Sequence, residues 1–351
     1  MAVNLATKYS SQIAEVFTAG SFIKGKTSTS FDLTGVKTLK VYTPVTVPEV
    51  DYTREGMSRY GTVTEMQDIV QELKMTQDKA FTLTIDKGNN LDQNMTKKAA
   101  DMLRLQINEQ STPAADRYAL RRFAVMAGTI DTVNEAPTKD TIVELISTGA
   151  QTLDDNLVPD GDRYVYVTSE VYKMIRLSPE FTGLEGLGVK AIGKGVCGEI
   201  AGLSIVRVPK SYMPDGCYFL ITHKNAVLMP YKISDAKVHN DPVGVSGALI
   251  EGRHYYDAFV LGAKSAGVYA LVLAADKLAS PSVTISSKSV TITKPTGADE
   301  VCYTVDGTDP RYSDSAKVYS SAFAVETGDT VKAAAFADGK FTSSVVQKTC
   351  A

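Results

Sequence analysis

The chain has 351 residues and a mass of 37.7 kDa, with 44% apolar and 22% charged residues. That length fits about two to three domains and can bury a core without disulfides or metal. A balance of 37 Lys and Arg against 40 Asp and Glu excludes a strongly basic nucleic-acid binder, and three His with four scattered Cys exclude most metal clusters.

Residues 1–20 have no basic start, continuous apolar stretch or small-residue cleavage signal, so no secretory leader is expected. The longest apolar run, 269–275, spans seven residues, where a membrane helix needs about 20. A soluble chain made in a cytosol is expected, with Cys197, Cys217, Cys302 and Cys350 as free thiols. Residues 1–35 are polar and short of pattern, and read as an arm ordered by partners.

From 36 to 86 the period is two. Ile69, Leu73, Met75, Phe81, Leu83 and Ile85 fall on odd positions, with Glu72, Lys74, Thr76, Asp78, Thr82 and Thr84 between them. The alternation predicts one long half-exposed strand, paired with a first strand at 36–47. Residues 48–64 are charged and Gly-containing, and read as the broad polar tip of a long hairpin. Two strands alone have nothing to bury a face against, so such a hairpin implies a partner surface, most simply a second copy of the chain. Candidate contact residues at the tip are Val50, Asp51, Arg54, Glu55, Arg59 and Tyr60.

Asp92 or Asn94 is a candidate cap for a helix through Met95, Ala99, Met102, Leu103 and Ile107. Thr112-Pro113 predicts the start of a second helix, running through Tyr118, Leu120, Phe123 and Met126 to Gly128. A third opens at Thr138. Short elements then alternate: a strand at 163–168, a helix at 169–177 stopped by Pro179, a Gly-rich loop at 181–198, and strands within 200–208, 217–222, 226–231 and 248–273. This is α+β rather than a regular βαβ array. At Ala275 the texture turns Ser/Thr/Val-rich, with short alternating runs parted by Gly and Asp turns. That predicts a small all-β sandwich over 282–351 after a linker at 276–281 with few contacts across it.

Catalytic signals are weak. The Gly-rich run at 188–195 has Gly195 where a phosphate loop needs Ser or Thr, and no buried strand precedes it. His254 reads as a packed core histidine, and Asp154-Asp155 as a helix end. No nucleophile-elbow context surrounds any Ser or Cys. Asp306, Thr308 and Asp309 mark an exposed turn of the C-terminal domain that could meet sugar or calcium, although Asp side chains bonding backbone amides explain it more simply. No catalytic residue, metal site or cofactor is assigned.

The segments DKAFTLTIDKGNNLDQNMTKKAADML (78–103), TSEVYKMIRLSPEF (168–181), VCGEIAGLSIVRVPKSYMP (196–214), FLITHKNAVLMPYKISDAKVHNDP (219–242) and LIEGRHYYDAFVLGAKSAGVYAL (249–271) follow that hairpin in order. Together they resemble the major capsid proteins of tailed bacteriophages of the Hong Kong ninety-seven coat fold, siphophage type. YTVDGTDP (303–310), AKVYSSAF (316–323) and VKAAAFADG (331–339) resemble the immunoglobulin-like module at the C-termini of chitobiases.

The resemblance implies an N-terminal arm (1–35), an extended hairpin loop lying over a neighbouring subunit (36–86), and a peripheral domain (87–139 and 246–275) with its spine helix at 95–110. It also implies an axial domain (140–245), a linker (276–281) and an outward-facing immunoglobulin-like domain (282–351). It implies assembly through hexamers and pentamers into an icosahedral head around double-stranded DNA held non-specifically, in a virion built in bacterial cytoplasm. Scaffolding, protease and portal proteins would be partners, glycan would be a contact of the last domain, and no membrane is involved. Some relatives crosslink through a loop lysine; Lys40, Lys74 and Lys79 match no such position, so a non-covalent shell is expected. The alternative is a phage or cell-surface adhesin whose C-terminal module binds glycan.

Overall fold

The computed structural model describes residues 20–31, 38–63, 65–92, 98–179 and 198–351. Strands β1 (Thr38–Pro44) and β2 (Asp68–Lys74) form an antiparallel hairpin, Thr38 opposite Lys74 and Pro44 opposite Asp68. The second arm is not one long strand. It breaks at Met75 and Thr76, and β3 (Gln77–Asp86) joins another sheet. The cause is the buried Asp257, whose carboxylate accepts from the Thr76 N–H at 2.7 Å and the Thr76 hydroxyl at 2.9 Å. The inward alternation survives the break, with Leu73, Met75 and Ile85 all buried.

After the short α1 (Lys87–Asp92), the two expected helices merge. Helix α2 (Ala99–Gln106), a π turn (Ile107–Ser111) and α3 (Thr112–Val125) continue without leaving helical dihedrals. Thr112 is therefore not a cap, and Pro113 lies inside the helix. A proline there lacks an N–H and crowds the carbonyl four residues back, Glu109, which sits in the wider π turn. The cap expected at Asn94 lies outside the described residues.

The body continues through β4 (Thr129–Val133), α4 (Ile142–Asp155), β5 (Arg163–Thr168) and α5 (Ser169–Leu177). Six strands follow: β6 (Glu199–Ile200), β7 (Leu203–Val208), β8 (Cys217–His223), β9 (Val227–Leu228), β10 (Tyr231–Asn240) and β11 (Gly247–Tyr256). The body ends with β12 (Phe259–Val260) and β13 (Val268–Leu273). A mixed six-stranded sheet, ordered β4-β13-β8-β5-β7-β6, is its centre. The Gly-rich run at 188–195 lies outside the described residues.

The central sheet is buried on both faces. Val165, Val167, Phe219, Ile221, Tyr269 and Leu271 point to α4 and α5, where they meet Ile142, Ile146, Leu153 and Ile175. Tyr166, Leu220, Val268, Ala270 and Val272 point the other way, against Ala119, Leu120 and Phe123 of α3. A strand covered on both sides has no polar face, which explains the continuous apolar run at 269–275. The last part of the arm joins this second core. Ile23 is buried in it, and Asp116 of α3 holds the arm by accepting from the Phe22 N–H at 2.7 Å and the Ser21 hydroxyl at 2.8 Å. Residues 20–31 are thus ordered by their own chain, contrary to the reading of the whole arm as partner-dependent. Residues 1–19 lie outside the description.

The C-terminal domain has seven strands: β14 (Ser282–Ser286), β15 (Ser289–Thr293), β16 (Glu300–Thr304), β17 (Lys317–Val318), β18 (Phe323–Ala324), β19 (Thr330–Phe336) and β20 (Val346–Thr349). They form a three-stranded and a four-stranded sheet around Val283, Val290, Ile292, Val301, Val331, Ala333 and Ala335. The expectation of few contacts across 276–281 fails. Leu278 is buried in the domain's core, and Tyr312 and Phe341 are buried in the core of the body. Polar composition concealed this, because only two large side chains make the apolar part of the dock.

Gly128 follows the long helix where the backbone passes against Ser265. A Cβ there would stand 2.1 Å from the Ser265 carbonyl oxygen, a clash that no side-chain motion relieves. Gly128→Ala should cost about 3 kcal/mol or more by overpacking, read as a fall in the urea midpoint without a change in slope.

Candidate assembly surfaces

The hairpin's last rung is the Val45 N–H bonded to the Gln67 carbonyl at 2.8 Å; beyond it the chain leaves the sheet. The tip turns on itself through Thr53 N–H to Arg59 O (3.1 Å) and Gly61 N–H to Ser58 O (3.0 Å). Gly61 has a φ of +84°, and a Cβ there would meet Val50 Cγ2 at 2.6 Å. Tyr52 and Tyr60 stack edge to face with centroids 5.1 Å apart. These contacts run within the tip and give it a defined turn.

Val50, Asp51, Arg54, Glu55, Arg59 and Tyr60 are all exposed on this tip. The tip is less polar than its composition suggests. Met57 and Val63 are each 97% exposed and Tyr60 87%, and Val47, Val50 and Met66 are also bare. Large apolar side chains are thus exposed on this tip beside the charged Asp51, Arg54, Glu55 and Arg59. Met57, Val63 and Met66 were missed in the sequence because the charged residues around them read as a solvated turn. Their signal was several large apolar residues in a stretch with no period to bury them.

The root of the hairpin, in contrast, is fastened. Leu73 is buried against Leu228 and Leu261. Gln71 donates from Nε2 to the Val260 carbonyl at 2.9 Å and accepts the Gly262 N–H at 2.8 Å. The Asp314 N–H bonds the Val70 carbonyl at 2.9 Å, and Lys40 pairs with the Asp314 carboxylate at 2.6 Å. Asp257 closes the root, accepting Tyr118 Oη and the Ala258 N–H, each at 2.7 Å, besides both groups of Thr76. A fastened root below a bare tip gives the hairpin the shape of a lever.

The turn expected to be exposed on the C-terminal domain is largely self-satisfied. Asp306 is exposed but accepts from the Thr308 N–H and hydroxyl at 3.0 and 2.6 Å and from the Ser315 hydroxyl at 2.7 Å. Partial burial would raise its carboxyl pKa, but hydrogen bonds from Thr308 and Ser315 outweigh that and hold it below the usual range. Thr308 and Asp309 are half-buried. Asp309 turns inward onto Arg311, reaching its Nη2 at 2.8 Å.

Asp154, in the last turn of α4, pairs with the buried Arg163 at 2.6 Å, a structural role. His254 is buried and stacked on Phe81, with centroids 5.9 Å apart. Among the described residues no three His, Cys, Asp or Glu converge on a metal-sized site, and no helix is long and apolar enough to cross a membrane. Burial pushes the Cys217 thiol up to about 12. A thiol reagent at pH 8 should leave Cys217 unmodified in the folded subunit and label it after denaturation, as peptide mass mapping would report.

This body, with its sheet buried on both faces, long helix and projecting hairpin, has the fold of phage capsid subunits. The chain superposes on a structure of Mycobacterium phage Che8 with a TM-score of 0.64 at 18% identity, covering 77% of this chain and 98% of that one. The capsid structure of the cyanophage P-SCSP1u matches with a TM-score of 0.62 at 13% identity, over 77% and 93% of the two chains. The mature capsid of bacteriophage PhiM1 matches with a TM-score of 0.61 at 10% identity, over 78% and 92%. The Fn3-associated family matches residues 290–350, which fits an immunoglobulin-like domain. No curated protein matches the sequence.

Proposed function

We propose that the chain is a major capsid protein of a tailed phage that self-assembles through hexamers and pentamers into an icosahedral head around double-stranded DNA. The observation that carries this reading is the hairpin: a fastened root and a bare apolar tip, on the fold that phage capsid subunits share. The tip has no use in a lone subunit and a direct one against a neighbouring copy. In this reading 1–35 is the arm and 36–86 the extended loop. Residues 87–139 and 246–275 form the peripheral domain with its spine helix at 95–110, and 140–245 the axial domain. Residues 282–351 face outward.

With 37 basic against 40 acidic residues, the subunit holds DNA weakly and without sequence preference. Its role is structural rather than catalytic, its place is the virion after assembly in the bacterial cytoplasm, and scaffolding, protease and portal proteins are its partners. The second reading, an adhesin with a glycan-binding C-terminal module, is weakened by the inward turn of Asp309 and the self-bonded Asp306. Negative-stain microscopy of the expressed protein separates the two. A coat protein yields closed particles many tens of nanometres across, and an adhesin yields small oligomers.

A further inference from the structure

We infer that the C-terminal module is a latch, joining the C-terminal end of the long helix to the root of the hairpin and so fixing the direction in which the hairpin points. The segment 309–314 between β16 and β17 is its working part. A helix leaves its last carbonyls without partners in its own ladder. Here four consecutive carbonyls at and after the end of α3 are taken by side chains of the module. Thr342 Oγ1 donates to Val125 O at 2.8 Å and Tyr312 Oη to Met126 O at 2.6 Å. Arg311 donates from Nη1 to Ala127 O at 2.8 Å and from Nη2 to Gly128 O at 3.1 Å.

The Arg311 side chain is only 8% exposed, and Asp309 braces it by contacts of 2.8 to 3.2 Å. A cation at the negative end of a helix dipole is favourable, and more so when partly buried. Tyr312 and Phe341 add apolar anchors in the core that also holds Phe123. Two residues past Tyr312, Asp314 grips the hairpin, bonding Val70 through its backbone and Lys40 through its carboxylate. One six-residue segment thus touches both the rigid helix and the lever. A domain that merely decorated the surface would need neither contact.

The test uses full-length protein and hydrogen exchange on the unassembled subunit, so it is independent of whether shells form. Arg311→Met with Tyr312→Ala leaves the module's own core intact. Amides at 122–130 and 70–74 should exchange about tenfold faster or more, while Val301 and Ala335 keep their protection. Unchanged protection at 70–74 would overturn the latch. If that variant loses protection throughout the body, Lys40→Ala with Asp314→Pro decides the matter, since it removes only the hairpin contacts. Faster exchange at 70–74 with 122–130 unaltered supports coupling through Asp314; no change at 70–74 refutes it.

Discussion

Deleting 50–61 should leave a folded subunit that makes no shells. The removed backbone bonds mainly to itself, through Thr53 with Arg59 and Ser58 with Gly61, and none of its apolar side chains belongs to a core of the body. Thermal stability should therefore barely move, as for surface changes within about 0.5 kcal/mol. The effect on assembly is much larger. Burying a side chain of the size of Val50, Met57 or Tyr60 contributes about 1.5–3 kcal/mol. Losing two such contacts at each interface weakens it by roughly a factor of a hundred to ten thousand, and a closed shell multiplies that loss over every copy. The point variant Met57→Asp with Tyr60→Asp should reproduce the defect. Sedimentation should show the subunit at the position of monomer or small oligomer, with an unchanged circular dichroism melt.

Asp257→Ala should damage the subunit itself. One buried carboxylate accepts four hydrogen bonds, from Thr76 N–H and hydroxyl, Tyr118 and Ala258. Alanine would leave those donors facing an apolar interior, where each unpaired group costs about 1–3 kcal/mol. The expected total is about 4 kcal/mol or more, within the range for breaking a buried polar network. Urea titration should show a large drop in midpoint, and Asp257→Asn, which keeps an acceptor oxygen, should lie between. Because Thr76 is the joint between β2 and β3, the freed hairpin root should also become sensitive to protease before the body unfolds.

What could be read in the sequence was local and periodic. The odd-position run marked an inward face at Leu73, Met75 and Ile85, while Ile69 at its start is exposed and Gln77–Asp86 left the hairpin for another sheet; the texture change at Ala275 placed the all-β domain. The break at Met75 and Thr76 was hidden, because parity continues across it and its cause lies about 180 residues away at Asp257. Thr112-Pro113 was misread for a similar reason. Alone it is a good helix start, and only the preceding π turn makes it an interior joint. Residues 309–314 look like a polar surface turn. Their arginine has meaning only when the end of α3 is beside it, and no spacing within the module signals that. At the tip, charge was visible and exposure was not, so Met57 and Val63 escaped notice beside Arg54, Glu55 and Arg59.

Cryo-electron microscopy of particles formed by the full-length protein tests the central claim most directly. The account predicts closed shells of six- and five-fold capsomers in which the tip around Met57 and Tyr60 of each subunit is buried against the adjacent copy. Small oligomers without a shell, or shells in which every tip remains bare to solvent, would contradict it.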